Sequence, residues 1–437
     1  MYNDGVNTTQ KATEYNALRQ LDKQFSCQFL FLGGLFPPGI EQTVIRNSKH
    51  NVQNAANRLQ WSFVEGLDCN LTEPVSIINS MYIASFPHGY RKLMIPTYPF
   101  AHSKGVSDIN VGFVNLPLYK HLSRERRLRK HIKHWIKNVG GKQKVMIAYA
   151  ATSVMVKSLL YAKQIDPSIV TCLIMPDLPE FMHPGKSGIL YNRFKALTLL
   201  RLYARMQKID CHVFLTEGMA ERTKFGKPYT IVEGIFRENS NVRDLTKYDE
   251  SKRVFLYTGG IEKAYGVIDL VKAFHRVQDD RIQLLLCGSG DAEKGVLEYC
   301  RLDPRINYLG LLPQSEVLKL QADAHYLINP RNNNEDFARY SFPSKTMEYL
   351  ASGTIVLSYM LSGIPSEYTP YLYIIKDEPD GLFNAIQGCL RLSSQGMREL
   401  ASDGLSFVKH KKNPEEQAAK VLKLIENLVE GERDRKC

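Results

Sequence analysis

Short apolar runs alternate with amphipathic stretches along nearly the whole chain, and the pattern is played through twice. In the first half the strand-like runs are Gln28–Leu32, Val75–Asn79, Val145–Tyr149, Val170–Met175, His212–Leu215 and Tyr229–Val232. Helical segments lie between them, including Ala55–Glu65, Val154–Gln164 and Phe194–Lys208. A second alternation has runs at Val254–Tyr257, Ile282–Cys287, Ile306–Leu309, Ala324–Ile328, Ile355–Ser358 and Leu372–Ile375, with helices at Gly266–Arg276 and Gln314–Gln321. A strand that returns through a helix must lie parallel to its predecessor, by a right-handed crossover. The expected class is therefore α/β, with two Rossmann-like domains. We expect an N-terminal domain over 1–237, a second over 238–413 and a closing helix in 414–437 that packs back on the first. At 437 residues and 44% hydrophobic content, two cores of this size can be filled.

Composition narrows the function class. No apolar run approaches the roughly 18 residues a membrane span requires, and no cleavable leader is expected. Eight cysteines are scattered without a CxxC pair or histidine cluster, which argues against structural zinc and for a reducing cytoplasm. The net charge of +12 is unevenly divided. Residues 1–237 hold 31 Lys+Arg against 16 Asp+Glu (+15), and the remainder 26 against 29 (−3). The densest part, 119–144, reads as a basic amphipathic helix with Leu128, Ile132, Trp135 and Ile136 on one face. Arg124, Arg127, Lys130, Lys133, His134 and Lys137 lie mostly elsewhere. Such a helix can lie on an anionic membrane surface or bury its stripe against its own sheet with its charges solvated, and both hold together if only the basic face meets lipid. No nucleic-acid recognition module accompanies the charge, so no nucleic-acid partner is expected.

The segment 329–353, NPRNNNEDFARYSFPSKTMEYLASG, carries the chemistry. Pro343 suits a first helical turn and Gly353 a helix terminus, so a short helix opens at Phe342-Pro343-Ser344-Lys345. Free amides at a helix start attract anions, and Lys345 adds a full charge. Glu348, one turn on, can accept hydrogen bonds from a diol. Phosphate seat, cation and diol acceptor suit a nucleotide diphosphate. The plainer alternative is a capped core helix with Met347, Leu350 and Ala351 facing inward. Gly259-Gly260 with Lys263, and Gly288 and Gly290, also follow strands, and strand C-terminal ends in such sheets converge on one crevice. Gly33-Gly34 after the first strand is a matching turn in the first domain, where backbone can approach a ligand. Asp177 and Glu180, after another strand, can orient a hydroxyl or simply serve a helix start. His88 and His102 are lone histidines, a type more often structural.

The stretches YTGGIEKAYGVIDLVKAF, LLLCGSGD, INYLGLLPQSEV, LINPR and YSFPSKTMEYLASGTIVLSYMLSGIPSEY resemble family-4 (group 1) glycosyltransferases of GT-B fold, whose two Rossmann-like domains face across a cleft. In the first half FLGGLFPP, NAANRLQWSFVEGL, MPDLPEFM, LTEGMAE and IVEGIF are similar to a bacterial capsule and exopolysaccharide subgroup. The resemblance implies a retaining sugar transfer from a nucleotide-diphosphate sugar, UDP-hexose by family analogy, without metal or other cofactor. It implies a lipid-linked saccharide acceptor, hence a cytoplasmic protein peripheral at the inner membrane face. Glu348 matches the second carboxylate of the family's Glu-x7-Glu motif, which holds the ribose. Tyr340 stands where the first would hold the sugar, with Ser341, Phe342, Pro343 and Ser344 between. The family's Arg-x4-Lys pair falls on Gly260 and Tyr265, so both cations are missing. Lys345 and Arg331 are the expected replacements, with Lys263 and Arg339 also available and Glu335 a substitute for the missing carboxylate. These departures leave open a catalytically degenerate GT-B partner of another transferase, and, more remotely, a sugar-nucleotide epimerase.

Overall fold

In the computed structural model the described residues are 27–49, 52–181, 189–237, 242–243, 253–332 and 336–434. They fall into two compact units, one drawn from Met1–Ile235 with Pro414–Cys437 and the other from Phe236–Asn413. Both are sheets of parallel strands carrying helices, the α/β class expected of a GT-B chain.

The first unit contains β1 (Cys27–Gly33), β2 (Ser76–Asn79), β3 (Met94–Ile95), β4 (Tyr98–Phe100), β5 (Asp108–Asn110), β6 (Phe113–Val114), β7 (Gln143–Tyr149), β8 (Val170–Met175), β9 (Cys211–Phe214) and β10 (Tyr229–Ile231). Eight of them form one sheet, ordered β10-β9-β8-β7-β1-β2-β5-β4, in which only the β4–β5 edge pairing is antiparallel. β8 is buried at every position, as a central strand covered on both faces must be. Strands β3 and β6 pair separately as a small antiparallel ribbon. The helices are α1 (Glu41–Asn47), α2 (Asn54–Asn70), α3 (Tyr119–Asn138), α4 (Ser153–Ile165), α5 (Ile189–Met206) and α6 (Glu217–Thr223).

The second unit runs β11 (Arg253–Thr258), α7 (Val267–Arg276), β12 (Ile282–Cys287), α8 (Glu293–Leu302), β13 (Ile306–Gly310), α9 (Gln314–Asp323), β14 (Tyr326–Asn329), α10 (Ser344–Ala351), β15 (Ile355–Tyr359), β16 (Tyr373–Ile375), α11 (Gly381–Leu390) and α12 (Ser394–Lys411). Its six strands are all parallel in the order β13-β12-β11-β14-β15-β16. Strand order reverses between β11 and β14, and a ligand crevice belongs at the carboxyl ends of those two strands. The chain enters and leaves this unit side by side, for the Phe236 amide donates to the Lys412 carbonyl (2.6 Å). The last helix, α13 (Pro414–Asp434), returns to the first unit. Ala418, Val421, Leu422, Ile425 and Val429 join that core. A Cβ on Gly66 of α2 would lie 2.0 Å from the Pro414 carbonyl oxygen, so a glycine is what lets α13 come this close.

Several expectations need adjustment. The basic helix ends at Asn138, and residues 143–144 open β7. Leu128, Ile132 and Ile136 are buried, so the stripe is used within the unit itself. Arg124, expected among the solvated charges, is also buried: its guanidinium donates from Nε to the Ser80 hydroxyl (3.0 Å). Helices α8, α11 and α12 and the short strands of 94–114 were not expected; two- and three-residue strands leave almost no periodic signal.

His102 has two acidic partners. Its Nδ1 lies 2.6 Å from Asp108 Oδ2 and its Nε2 2.9 Å from Asp68 Oδ2. The same carboxylates accept the Ile77 and Val75 amides, so the group sits at the amino ends of the strands. Burial disfavours the imidazolium, but the two hydrogen-bonded aspartates outweigh it and lift His102 from 6.5 to about 9. A folded pKa above the unfolded one gives stability that is full below pH 6.5 and is lost as pH rises through about 9. The stake is on the order of 3 kcal/mol. Urea denaturation at stepped pH should therefore show stability falling across that window, and His102→Gln should flatten the slope.

Candidate functional site

The site is built on the last residue of β11. The Thr258 amide donates to the Tyr349 hydroxyl (2.9 Å), and the same hydroxyl donates to the Thr258 carbonyl (2.9 Å). Burial pushes the Tyr349 hydroxyl far up its scale, so it stays protonated and keeps the donating role. Gln321, fully buried on α9, donates from Nε2 to Thr258 Oγ1 (2.9 Å) and to Glu348 Oε1 (2.7 Å). Glu348 is thereby aimed from α10 by a residue that is anchored to β11. Lys345 Nζ stands 3.7 Å from the same carboxylate oxygen, and both side chains are about a third exposed. An ion pair that open holds little energy and can be exchanged for a ligand's charge.

Helix α10 is at once core and rim. Thr346, Met347, Tyr349, Leu350 and Ala351 are buried, while Lys345 and Glu348 face outward. The core reading of the segment is met on one face of the helix, and the opposite face presents Lys345 and Glu348. Pro343 occupies the cap position rather than the first turn, since its ψ of 91° keeps it outside the helix. Gly353 has φ +70°, the left-handed conformation a helix terminus needs. Phe342 points into the core against Tyr368 (ring centroids 5.5 Å), so its side chain is unavailable to a ligand. Ser344 is exposed at the first helical position, and Ser341 and the Tyr340 side chain are half-buried nearby. Glu335 lies outside the described residues.

The glycine turns nest against one another. A Cβ on Gly288 would meet the Gly259 carbonyl oxygen at 1.7 Å, and one on Gly290 the Ile261 carbonyl oxygen at 2.4 Å. Lys345 lies across the first turn: a Cβ on Gly259 would be 2.8 Å from its Cε. The amides of Gly259, Gly288 and Gly290 are already used, by Cys287 O, Gly310 O and Glu293 Oε1. Among the described residues the Gly260 amide has no acceptor and remains for a ligand. Lys263 is exposed on the short turn Lys263–Tyr265, but its own amide donates to Asp291 (2.8 Å) and Glu262 adjoins it. Two carboxylates there oppose a phosphate. Arg331 follows β14 and lays its guanidinium 5.4 Å from the centre of the Tyr265 ring. It thus lies beside the residue that stands where a lysine was expected.

The remaining candidates belong to the chain's other unit. At Gly34 the space for a Cβ is taken by the Tyr82 ring, 2.4 Å away, and the Gly34 amide donates to Gln60 Oε1 (2.7 Å). Gly33 is similarly packed by Phe31 and Gln60. This turn accommodates a tyrosine of its own fold. Glu180 accepts from the Tyr203 hydroxyl (2.5 Å) and pairs with Arg222 (3.0 Å). Burial works against its ionisation, but these two partners prevail and hold the carboxyl below its ordinary value. Asp177 is exposed after β8 and makes no hydrogen bond among the described residues. Among those residues no group of His, Cys, Asp and Glu could hold a metal, and no helix is long and apolar enough to cross a membrane. Gln321 and Tyr349 escaped the sequence reading. A glutamine in a last helical turn and a tyrosine in a core helix have no local signature.

Residues 252–392 match the model of the family described as Glycosyl transferases group 1. Among solved structures the chain is similar to the sucrose-phosphate synthase of Thermosynechococcus elongatus (TM-score 0.58, 14% identity, over 92% of this chain and 100% of that one). It is also similar to the α,α-trehalose 6-phosphate synthase of Burkholderia multivorans (0.56, 9%, 94% and 98%). A third likeness is to the trehalose-6-phosphate structure from E. coli bound with UDP-2-fluoro glucose (0.56, 8%, 91% and 99%). At these identities the likeness establishes a shared fold, that of GT-B glycosyltransferases. No relative among curated proteins matches the chain.

The nested turns make a direct prediction. Gly288→Ala should cost roughly 2–4 kcal/mol of stability in urea denaturation, through overpacking and a φ of +143°. Gly140→Ala, with nothing within 4 Å, should change it little.

Proposed function

We propose that this chain is a retaining glycosyltransferase that moves a hexosyl unit from a nucleotide-diphosphate sugar to a hydroxyl of a lipid-linked saccharide in bacterial surface polysaccharide assembly. One observation carries the reading: Lys345 and Glu348 project from α10 at the β11–β14 switch point, beside the Gly259 turn, within the stretch matched to Glycosyl transferases group 1. In this reading Glu348 accepts the ribose hydroxyls, held in place by Gln321. Lys345, Arg331 and the Gly260 amide neutralise the diphosphate, whose charge grows as the glycosidic bond breaks. Stabilising that leaving group with pre-aimed donors is the main task of such a site, and no side-chain nucleophile is needed. Tyr265 supports the assignment of Arg331, because the aromatic face that replaces the lysine holds a guanidinium in its place. Asp177 is the better acceptor-orienting candidate of the first unit, since Glu180 is committed to Tyr203 and Arg222. A uridine donor is supported by analogy with the UDP-2-fluoro glucose bound in the E. coli structure. The location proposed is the cytoplasmic membrane face, where a lipid-linked acceptor would be met.

A non-catalytic GT-B partner is the second reading, favoured by Gly260 and Tyr340 at positions where charge was expected. A thermal-shift panel of nucleotides and nucleotide sugars separates the two. One nucleotide class should stabilise the wild type, and Glu348→Ala should weaken its binding about thirtyfold or more, the worth of one or two charge-assisted hydrogen bonds. A wild type blind to every nucleotide would favour the partner role. In donor turnover, Lys345→Ala should lower kcat about a hundredfold, as loss of one donor to a developing anion does elsewhere. Unchanged turnover would remove Lys345 from the phosphate seat.

A further inference from the structure

The first unit exposes a knob of large apolar side chains that none of its described residues covers. In the β3–β6 ribbon Met94 pairs with Val114, and the Asn115 amide donates to the Leu93 carbonyl (2.7 Å). The chain leaving β6 therefore runs beside Leu93 and into Leu116, Leu118 and the first turn of α3. Leu118 is 88% exposed, Leu122 63%, and Met94 and Tyr119 52% each. Nothing in the interior is gained by presenting Leu118 in this way. It sits at φ +63°, ψ −53°, and the Tyr119 amide donates to the Pro117 carbonyl across it (2.7 Å). That is a γ-turn of the rare, strained kind, with a branched side chain where glycine would be easy. The strain is held in place from beneath. The buried Lys120 ammonium donates to the Ile83 carbonyl, and the buried Arg124 to Ser80. Two charges of α3 are thus consumed as rivets that fix its first turn.

The remaining charges give the knob its surroundings. Arg91 and Lys92 are exposed immediately before Leu93-Met94, and Arg126, Lys130, Lys133 and Lys137 are exposed along α3. The single acid of that helix, Glu125, is neutralised by Arg129 (2.7 Å) and Lys157 (2.8 Å). Among the described residues the surface is therefore an exposed aliphatic tip backed by cations that no acid of α3 opposes. A protein partner would need a concavity shaped to the tip. A bilayer needs only acyl chains at the tip's depth and anionic headgroups at that of the cations, in any register.

We propose that Leu93-Met94, Leu118 and Leu122 insert into the headgroup region of an anionic bilayer, with the exposed cations of α3 and Arg91-Lys92 binding its phosphates. The proposal deepens the lipid-linked part of the function above and rests on that reading for its purpose. It replaces the buried stripe of α3 by the knob as the apolar contact.

The test is co-sedimentation of the full chain with mixed phosphatidylcholine–phosphatidylglycerol vesicles, against phosphatidylcholine alone, at two salt concentrations. The wild type should bind the anionic vesicles in a salt-sensitive way. Leu118→Ser with Leu122→Ser should lower partitioning about tenfold or more, the effect of losing insertion energy from two aliphatic side chains. Leu118→Gly relieves the backbone strain, so it should keep or raise the thermal midpoint while also weakening vesicle binding. Wild-type levels of vesicle binding by the double variant, or no binding by the wild type, would overturn the proposal. So would a wild-type dimer that the double variant abolishes without any vesicle binding, which would mark the knob as a contact between two copies. The nucleotide thermal shift, run without vesicles, keeps the two readings separate. Vesicle binding without a nucleotide response would sink the donor assignment alone, and the reverse would sink only the wedge.

Discussion

A parallel strand that ends at a ligand edge leaves its last amide and carbonyl without ladder partners, and at β11 one tyrosine hydroxyl supplies both. Tyr349 receives the Thr258 amide and returns a hydrogen bond to its carbonyl, while Gln321 takes the threonine hydroxyl. Because Tyr349 belongs to α10 and Gln321 to α9, satisfying a strand end also fixes two helices against it. Lys345 and Glu348 inherit their positions from this clasp. These two outward groups are loosely held at their tips and firmly held at their roots, an arrangement that allows exchange of partners without loss of aim.

Packing and chemistry share the same glycines. Those at 288 and 290 are required because neighbouring turns touch backbone to backbone, and the one at 259 because its φ of +153° is a conformation that other residues rarely adopt. The gain for a ligand is indirect, in that tight nesting brings the turns after β11 and β12 and the start of α10 to one edge. In the first unit the corresponding turn has been filled by Tyr82 instead. Identical-looking Gly-Gly pairs after a first strand therefore do different work in the two halves.

Periodicity was enough to locate most long elements. Val170–Met175 and Ile282–Cys287 have the bounds their sequence suggested, since unbroken apolar runs in parallel sheets announce themselves. The strands between 94 and 114 did not, being too short for any period to show. Charge was the poorer guide. Arg124, a surface cation by its place in the basic run, has its guanidinium on Ser80 in the interior. His102, set aside as a lone histidine, lies between two aspartates that are 34 and 6 residues distant in the chain. Spacing cannot report such encounters, because buried charges choose partners by proximity in the fold.

The α/β class, the double alternation, the Gly-rich turns and the helix carrying Lys345 and Glu348 are legible in the chain, because strand period, helix period and turn chemistry are local properties. Which glycines nest against neighbouring turns and which face a tyrosine, that Gln321 aims Glu348, that Arg331 lies by Tyr265, and that the described residues leave Leu118 uncovered are visible in the tertiary structure only. Each of these depends on residues brought together by sheet order and helix packing, and on which polar and apolar groups remain once the interior has been satisfied.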